Sequence, residues 1–212
     1  MNMRDRLAGV GVVPVVKLED TALSEQLADA FCGGGIPCAE VTFRAAGAGE
    51  VIRRMRAHRP DMLVGAGTVL TVAQAKEALD AGAEFVVAPG SNPRVIDYVL
   101  TRGGVMLPGV MTPTEIEAAL AFGLHTLKFF PAEAAGGRAM LKALSAPYAG
   151  VKFVPTGGIG PDNLADYLAL PCVAACGGSY MSSSKLLAAH DFAAITAICA
   201  AVAETVRRVR CA

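Results

Sequence analysis

Short apolar runs alternate with amphipathic stretches along this 212-residue chain, eight times over. A run that is apolar at nearly every position has to be buried on both faces of its sheet, which only parallel strands covered by helices on their crossovers achieve. The strand-like runs are 12–16, 39–43, 63–66, 85–88, 105–107, 126–130, 152–155 and 173–176. Helical spacing marks 21–32, 49–57, 72–80, 93–101, 113–121, 137–144, 161–168 and 191–208.

Start signals support the helices. Thr71 precedes Val72, Asn92 precedes Pro93, Thr112 precedes Pro113, and Gly160-Pro161 opens another; a short polar side chain caps free N–H groups and proline fits the first turn. Gly33, Gly82, Gly103 and Gly123 are expected to close helices in the left-handed conformation.

Eight strand–helix units with short connections predict a (β/α)8 TIM barrel, an α/β fold. An open doubly wound sheet is the alternative. It would carry a Gly-x-Gly-x-x-Gly turn after its first strand, whereas Lys17-Leu18-Glu19-Asp20 follows Val16 here. No linker or low-complexity segment breaks the alternation, so residues 1–212 read as one barrel domain.

Nineteen basic residues balance nineteen acidic ones. That gives no overall field to draw nucleic acid or an anionic membrane, and neither is expected as a partner. Arg207-Arg208-Val209-Arg210 reads as a solvated helix end. Arg4 and Arg6 ahead of the apolar 12–16 run resemble a signal peptide superficially, but Lys17, Glu19 and Asp20 cut the run short, and a cytoplasmic location is expected. The six cysteines read as reduced, mostly buried thiols. Cys172 and Cys176 lack the companion ligands of a zinc site, and no metal is expected.

In such barrels the chemistry sits at the C-terminal ends of the strands. One of those ends carries Lys128 inside the run His125-Thr126-Leu127-Lys128-Phe129-Phe130-Pro131. Burial disfavours the charged form of an amine, and neutral amine attacks carbonyl carbon to form a Schiff base. For an isolated lysine the ordinary reading is a packed stem with its head in water, so partners at other strand ends decide. Lys17 and Lys152 are the other candidate amines; Lys152 opens its strand at the wrong end, and Glu19 and Asp20 beside Lys17 favour a surface role.

Glu40 shares strand parity with Thr42 and Arg44, so acid and guanidinium are expected on one side. Glu40 would relay protons, and Arg44 would grip a substrate carboxylate through two parallel hydrogen bonds. A structural ion pair among barrel side chains fits the spacing equally well. Thr156-Gly157-Gly158-Ile159 and Gly177-Gly178-Ser179 follow the last two strands, where barrels often bind phosphate on backbone N–H groups. Paired glycines also occur as plain turn punctuation.

Four segments together resemble the 2-keto-3-deoxy-6-phosphogluconate (KDPG) and 4-hydroxy-2-oxoglutarate (KHG) aldolases: Ala39-Glu40-Val41-Thr42-Phe43-Arg44, Val64-Gly65-Ala66-Gly67-Thr68-Val69-Leu70, Leu127-Lys128-Phe129-Phe130-Pro131-Ala132-Glu133 and Pro155-Thr156-Gly157-Gly158-Ile159. The resemblance spans about residues 12–206. It implies a class I aldolase, metal-independent and without cofactor beyond the covalent Schiff base on Lys128. The implied setting is a homotrimer in the Entner–Doudoroff pathway or a related one, taking a small 2-keto acid substrate. Under it Lys128 is the Schiff-base lysine, Glu40 the general acid and base, and Arg44 with Thr68 the carboxylate site. Pro89 and Phe130 become pocket walls, and Thr156 a contact to a substrate hydroxyl or carboxylate. Gly157, Gly158, Gly178 and Ser179 become the phosphate end. The chain departs from the best-known members at Tyr180, where they carry tryptophan, and at Ala45, where a polar residue often stands.

The same barrel could serve an isomerase or synthase, for example a sugar-phosphate epimerase, or a protein that only binds a ligand or partner. A metal-dependent sugar-phosphate epimerase needs His and Asp at several strand ends, and the chain has only three histidines. A non-catalytic binding barrel has no use for a buried lysine facing an acid. His125 reads as a satisfied barrel-bottom side chain and Met106 and Met111 as packing. Phe192, Ile195, Ile198, Cys199 and Val202 form the apolar face of a terminal helix that covers the barrel.

Overall fold

The computed structural model describes residues 2–211; residues 1 and 212, the outermost of the expected domain, lie outside them. The chain runs α1 (Met3–Val10), β1 (Val12–Val16), α2 (Ser24–Gly33), β2 (Cys38–Thr42), α3 (Ala48–His58), β3 (Leu63–Gly67), α4 (Val72–Asp80), β4 (Val86–Val87), α5 (Pro93–Thr101) and β5 (Met106–Leu107). It continues through β6 (Gly109–Val110), α6 (Pro113–Ala121), β7 (Thr126–Phe129), α7 (Gly137–Ser145), β8 (Lys152–Pro155), α8 (Leu164–Leu168), β9 (Cys176–Gly178), α9 (Ser184–Ala188) and α10 (Phe192–Arg210). Short 3-10 turns cover Thr21–Leu23 and Tyr180–Ser182.

Every strand pairing is parallel, giving an α/β fold whose sheet is curled. One set of strands runs β5-β4-β3-β2-β1-β9 and another β6-β7-β8. Isolated bridges join Phe153 to Val173 and Thr156 to Gly177, between the β8 and β9 segments. Only Pro108 separates β5 from β6. Proline has no N–H to give a ladder, but its carbonyl still accepts from Lys128 N at 2.9 Å.

Strands β1, β2 and β3 are buried at all five of their positions, as the apolar runs require. Alternate side chains feed two cores. Leu7, Val13, Cys38, Leu63, Phe85, Val87, Leu107, Val154 and Ala175 fill the concave side. A larger cluster, including Phe31, Ile52, Met55, Ile96 and Phe153, packs between sheet and helices. Leu7, fully buried on α1, reaches the concave core from outside the sheet; burying a leucine contributes about 1.5–3 kcal/mol.

Thr71, Asn92 and Thr112 cap their helices as expected, each accepting from a first-turn N–H, and Thr112 forms a reciprocal capping box with Glu115. Gly82, Gly103 and Gly123 are left-handed, whereas Gly35 takes that role in place of Gly33, which stays inside α2. Near Gly160-Pro161 the chain makes a turn first, and α8 begins only at Leu164. The last strand is shifted to Cys176–Gly178, with only a bridge at Val173. Neither α1 nor α9 was expected. Met106 is buried, but Met111 is 39% exposed, and His125 is exposed at the start of β7, not packed in the bottom. Arg210 does more than face solvent: its Nη2 donates to the carbonyls of Val173 and Ala174 at 3.0 and 2.8 Å. On α10, Ile195, Cys199 and Val202 are buried and Phe192 and Ile198 pack at the margin. Among the described residues no helix is long and apolar enough to cross a membrane.

Candidate active site

A cavity of about 260 Å³ opens at the C-terminal ends of the strands, lined by Val15, Glu40, Arg44, Thr68, Pro89, Lys128, Phe130, Thr156, Gly157, Gly158, Ile159, Gly177 and Ser179. Lys128 enters from β7 and Glu40 from β2. The Lys128 Nζ donates to Glu40 Oε1 at 3.3 Å, with 5% and 3% of the two residues exposed. Two charges this deep lose much of their hydration, so each depends on the other to remain there. The Phe130 ring lies 5.2 Å from Nζ, within cation–π reach.

Room for this pair comes from glycine. A Cβ on Gly67 would lie 2.2 Å from Glu40 Oε1, and residue 67 pairs with Thr42 two places further along β2. Thr42, fully within the sheet, donates its hydroxyl to the Val16 carbonyl at 2.8 Å and accepts from Arg44 Nε at 3.3 Å. Strand parity therefore applies to Glu40 and Thr42 only. Strand β2 ends at Thr42, and the guanidinium of Arg44 reaches the same cavity from the following turn, steered by Thr42. Sequence reasoning treated Thr42 as a parity marker and missed this role; its signal was a hydroxyl two residues before an arginine on a buried strand.

Thr68 follows β3 with φ +55°. A β-branched residue is strained there, and such strain is concentrated at functional sites, where it holds a side chain in place. Pro89, in the turn after β4, lines the same cavity, and Gly109 lets β6 approach that turn closely: a Cβ on Gly109 would lie 2.1 Å from the Pro89 carbonyl oxygen.

The far wall is the turn after β8. Thr156 is 7% exposed, and Gly157 and Gly158 both have positive φ, +102° and +80°, a backbone that favours glycine. Gly177 lines the cavity because its missing side chain leaves space for Thr156, whose Oγ1 would be 2.3 Å from a Cβ there. Of the residues the resemblance assigns to the catalytic, carboxylate, wall and phosphate positions, Gly178 alone does not line the cavity. Its face is taken by Tyr180, whose Cε1 would lie 2.7 Å from an added Cβ. Val15 and Ile159 are apolar walls that sequence reasoning did not single out.

The other candidate amines lie elsewhere. Lys17 is exposed and pairs with Glu19 at 2.7 Å, and Lys152 Nζ donates to the Pro171 carbonyl at 2.7 Å. Among the described residues no group of three His, Cys, Asp or Glu side chains is placed to hold a metal ion. All six cysteines are free; burial pushes the Cys176 and Cys199 thiols up to about 12 and Cys38 further, so these three are not ready nucleophiles.

A buried amine facing a buried acid, with a guanidinium at one end and a glycine turn at the other, suits covalent chemistry on a carbonyl compound. A family model described as KDPG and KHG aldolase matches residues 3–198. A 2-dehydro-3-deoxy-phosphogluconate aldolase of Treponema pallidum is 53% identical over 194 residues, 92% of each chain. The KHG/KDPG aldolase of Escherichia coli K12 is 40% identical over 186 residues, 87% of each chain. The crystal structure of a KDPG aldolase from Legionella pneumophila, with pyruvate captured at low pH as a covalent carbinolamine intermediate, superposes with a TM-score of 0.91 at 37% identity, covering 95% of this chain and 98% of that one.

Proposed function

The chain belongs to the KDPG and KHG aldolase family, and on that premise we propose which of its residues carry each step. It is a carbon–carbon lyase, a class I aldolase that cleaves 2-keto-3-deoxy-6-phosphogluconate through a Schiff base to pyruvate and glyceraldehyde 3-phosphate. We propose 4-hydroxy-2-oxoglutarate, giving pyruvate and glyoxylate, as a second substrate, which the family description and the name of the Escherichia coli relative support.

In our account Lys128 passes a proton to Glu40 across their 3.3 Å contact, and the freed amine attacks C2 of the keto acid. Glu40 returns that proton to the carbinolamine oxygen, takes a second from the attacking nitrogen and delivers it to the same oxygen, so that water leaves and an iminium forms. The iminium is the electron sink. Glu40 takes the C4 hydroxyl proton, the C3–C4 bond breaks, its electron pair passes into the enamine, and the aldehyde departs. Protonation at C3 and hydrolysis release pyruvate and restore the amine. Arg44 and Thr68 hold the carboxylate, Pro89 and Phe130 form the walls, and Thr156 meets a substrate hydroxyl or carboxylate. Gly157, Gly158 and Ser179 receive the phosphate, and Gly178 serves that end by seating Tyr180. This chemistry needs an amine and an acid and no external cofactor.

The observation that carries the assignment is the buried Lys128–Glu40 contact inside the cavity. Borohydride reduction in the presence of pyruvate, followed by peptide mapping, tests it: the adduct is expected on Lys128, and an adduct elsewhere, or none, overturns it.

We read the two strand sets as one closed (β/α)8 barrel forming a single domain over 1–212. The bridges between the β8 and β9 segments and the near-continuity of β5 with β6 support that reading. We further propose a homotrimer, for which exposed Leu70, Met111 and Phe122 offer apolar contact surface, and a cytoplasmic location in the Entner–Doudoroff pathway, consistent with six free thiols. Sedimentation equilibrium tests the trimer.

A further inference from the structure

Behind the glycine turn stands a pair of side chains that does not line the cavity. Tyr167 on α8 is fully buried, and its hydroxyl donates to the Glu133 carboxylate. Burial pushes the Tyr167 phenol up, and the neighbouring carboxylate adds to that, so the donor keeps its proton. Glu133 in turn lies along the turn itself: a Cβ on Gly158 would meet its Cγ at 2.6 Å and its Cβ at 2.7 Å.

The turn's carbonyls are held from the same side. Ala132 N donates to the Thr156 carbonyl at 2.8 Å and Glu133 N to that of Gly157 at 3.0 Å. Asn163 Nδ2 donates to that of Gly158 at 3.0 Å. None of these three donors belongs to the cavity lining. Backbone bonds fix the carbonyls of a glycine turn, but two successive positive-φ glycines have a wide choice of conformation. The Glu133 side chain removes much of that choice by filling the space beside Gly158, and Tyr167 keeps it there.

We propose that Glu133, anchored by Tyr167, is a positioning residue that holds Gly157-Gly158 in its anion-binding conformation, and so sets the preference for a substrate with a distal phosphate. The proposal rests on the reading of that turn as the phosphate end. The pair is absent from the lining of the cavity that holds the amine and the acid, so it acts on recognition of the distal group and leaves bond cleavage alone. Pre-organising a binding turn improves affinity by removing its ordering cost.

The test compares kcat and KM for 2-keto-3-deoxy-6-phosphogluconate and for 4-hydroxy-2-oxoglutarate, which has no phosphate, in wild type, Tyr167→Phe, Glu133→Ala and Glu133→Gln. Inorganic phosphate is also assayed as a competitive inhibitor. Tyr167→Phe and Glu133→Ala are expected to raise KM for the phosphorylated substrate and Ki for phosphate about tenfold, the usual effect of losing one charge-assisted hydrogen bond. Their kcat values, and both constants for the unphosphorylated substrate, should stay within about twofold. Glu133→Gln keeps an acceptor for the tyrosine and should retain most of the preference, which a purely volumetric role of Glu133→Ala would not require of Tyr167→Phe. Equal losses on both substrates, or no change in either variant, overturn the proposal. If wild type itself neither favours the phosphorylated substrate nor responds to phosphate, the reading of the turn fails and the proposal fails with it. If wild type shows the preference and the variants keep it, only the positioning role fails. Should Tyr167→Phe not fold, the Glu133 pair of variants decides alone.

Discussion

The Glu40 carboxylate occupies the space that a side chain on Gly67 would fill, for a Cβ there would lie 2.2 Å from Oε1 and 2.6 Å from Cγ. Both partners sit on neighbouring strands of a buried sheet, so neither backbone can retreat. Gly67→Ala is therefore expected to push the carboxylate out of line with Lys128. A misplacement of about 1 Å costs on the order of 100-fold in rate, and kcat should fall by about that much. Circular dichroism should show the fold retained, and borohydride trapping with pyruvate should slow in parallel.

Removing the amine has two separable effects. Lys128→Ala should abolish both trapping and cleavage, and it leaves Glu40 as a buried charge without its partner, which costs about 3–5 kcal/mol. The double substitution Lys128→Met with Glu40→Gln removes both charges and should recover most of that stability with no activity. Urea unfolding of the two variants checks this.

Thr68 is held at φ +55°, a conformation that costs of order 1–3 kcal/mol for a residue of its kind. Thr68→Gly should relieve the backbone, leaving the melting temperature unchanged or higher despite the added chain entropy. The lost hydroxyl should raise KM for pyruvate in the trapping reaction. A fall in stability together with unchanged KM would contradict the role given to Thr68.

The buried thiols make stability pH-dependent at the alkaline end. Cys176 and Cys199 are raised from 9.0 to about 12 by burial, so from about pH 9 upward the unfolded chain releases protons that the native chain keeps. Stability is then full below pH 9 and declines toward pH 12, by up to about 1.4 kcal/mol per pH unit for each thiol. Cys176→Ala should flatten the profile by one such increment, as measured by urea unfolding between pH 8.5 and 11.

Much of this was readable before any coordinates, for physical reasons that differ from place to place. Residues 12–16 and 152–155 are apolar runs with sharp edges, and they became β1 and β8 unchanged. Helices α4, α5 and α6 likewise kept their expected limits because a cap residue marks each start. What escaped was whatever depends on a partner distant in sequence. Helix α1, Met3–Val10, is short and of mixed polarity, with Leu7 its one fully buried side chain, and its place follows from the concave core that Leu7 enters with Met3 and Val10 at its margin. Gly177 and Gly178 look alike in sequence; Thr156 on one side and Tyr180 on the other give them different work. Strand parity puts Arg44 on the side of Glu40, yet β2 stops two residues earlier at Thr42, and the Thr42 hydroxyl explains its aim.

Leu7 and the apolar side chains beside it fill the concave side of the sheet beneath the cavity, so the chamber is a cul-de-sac. Both fragments of a cleaved substrate must leave by the mouth through which it came. In the mechanism we propose, the three-carbon piece is tethered to Lys128 and the aldehyde is not, which puts the departures in a fixed sequence: the free fragment first, the tethered one after hydrolysis. The enzyme therefore has a queue built into its geometry. In the synthetic direction the same queue runs backwards, with pyruvate seated before any aldehyde is admitted.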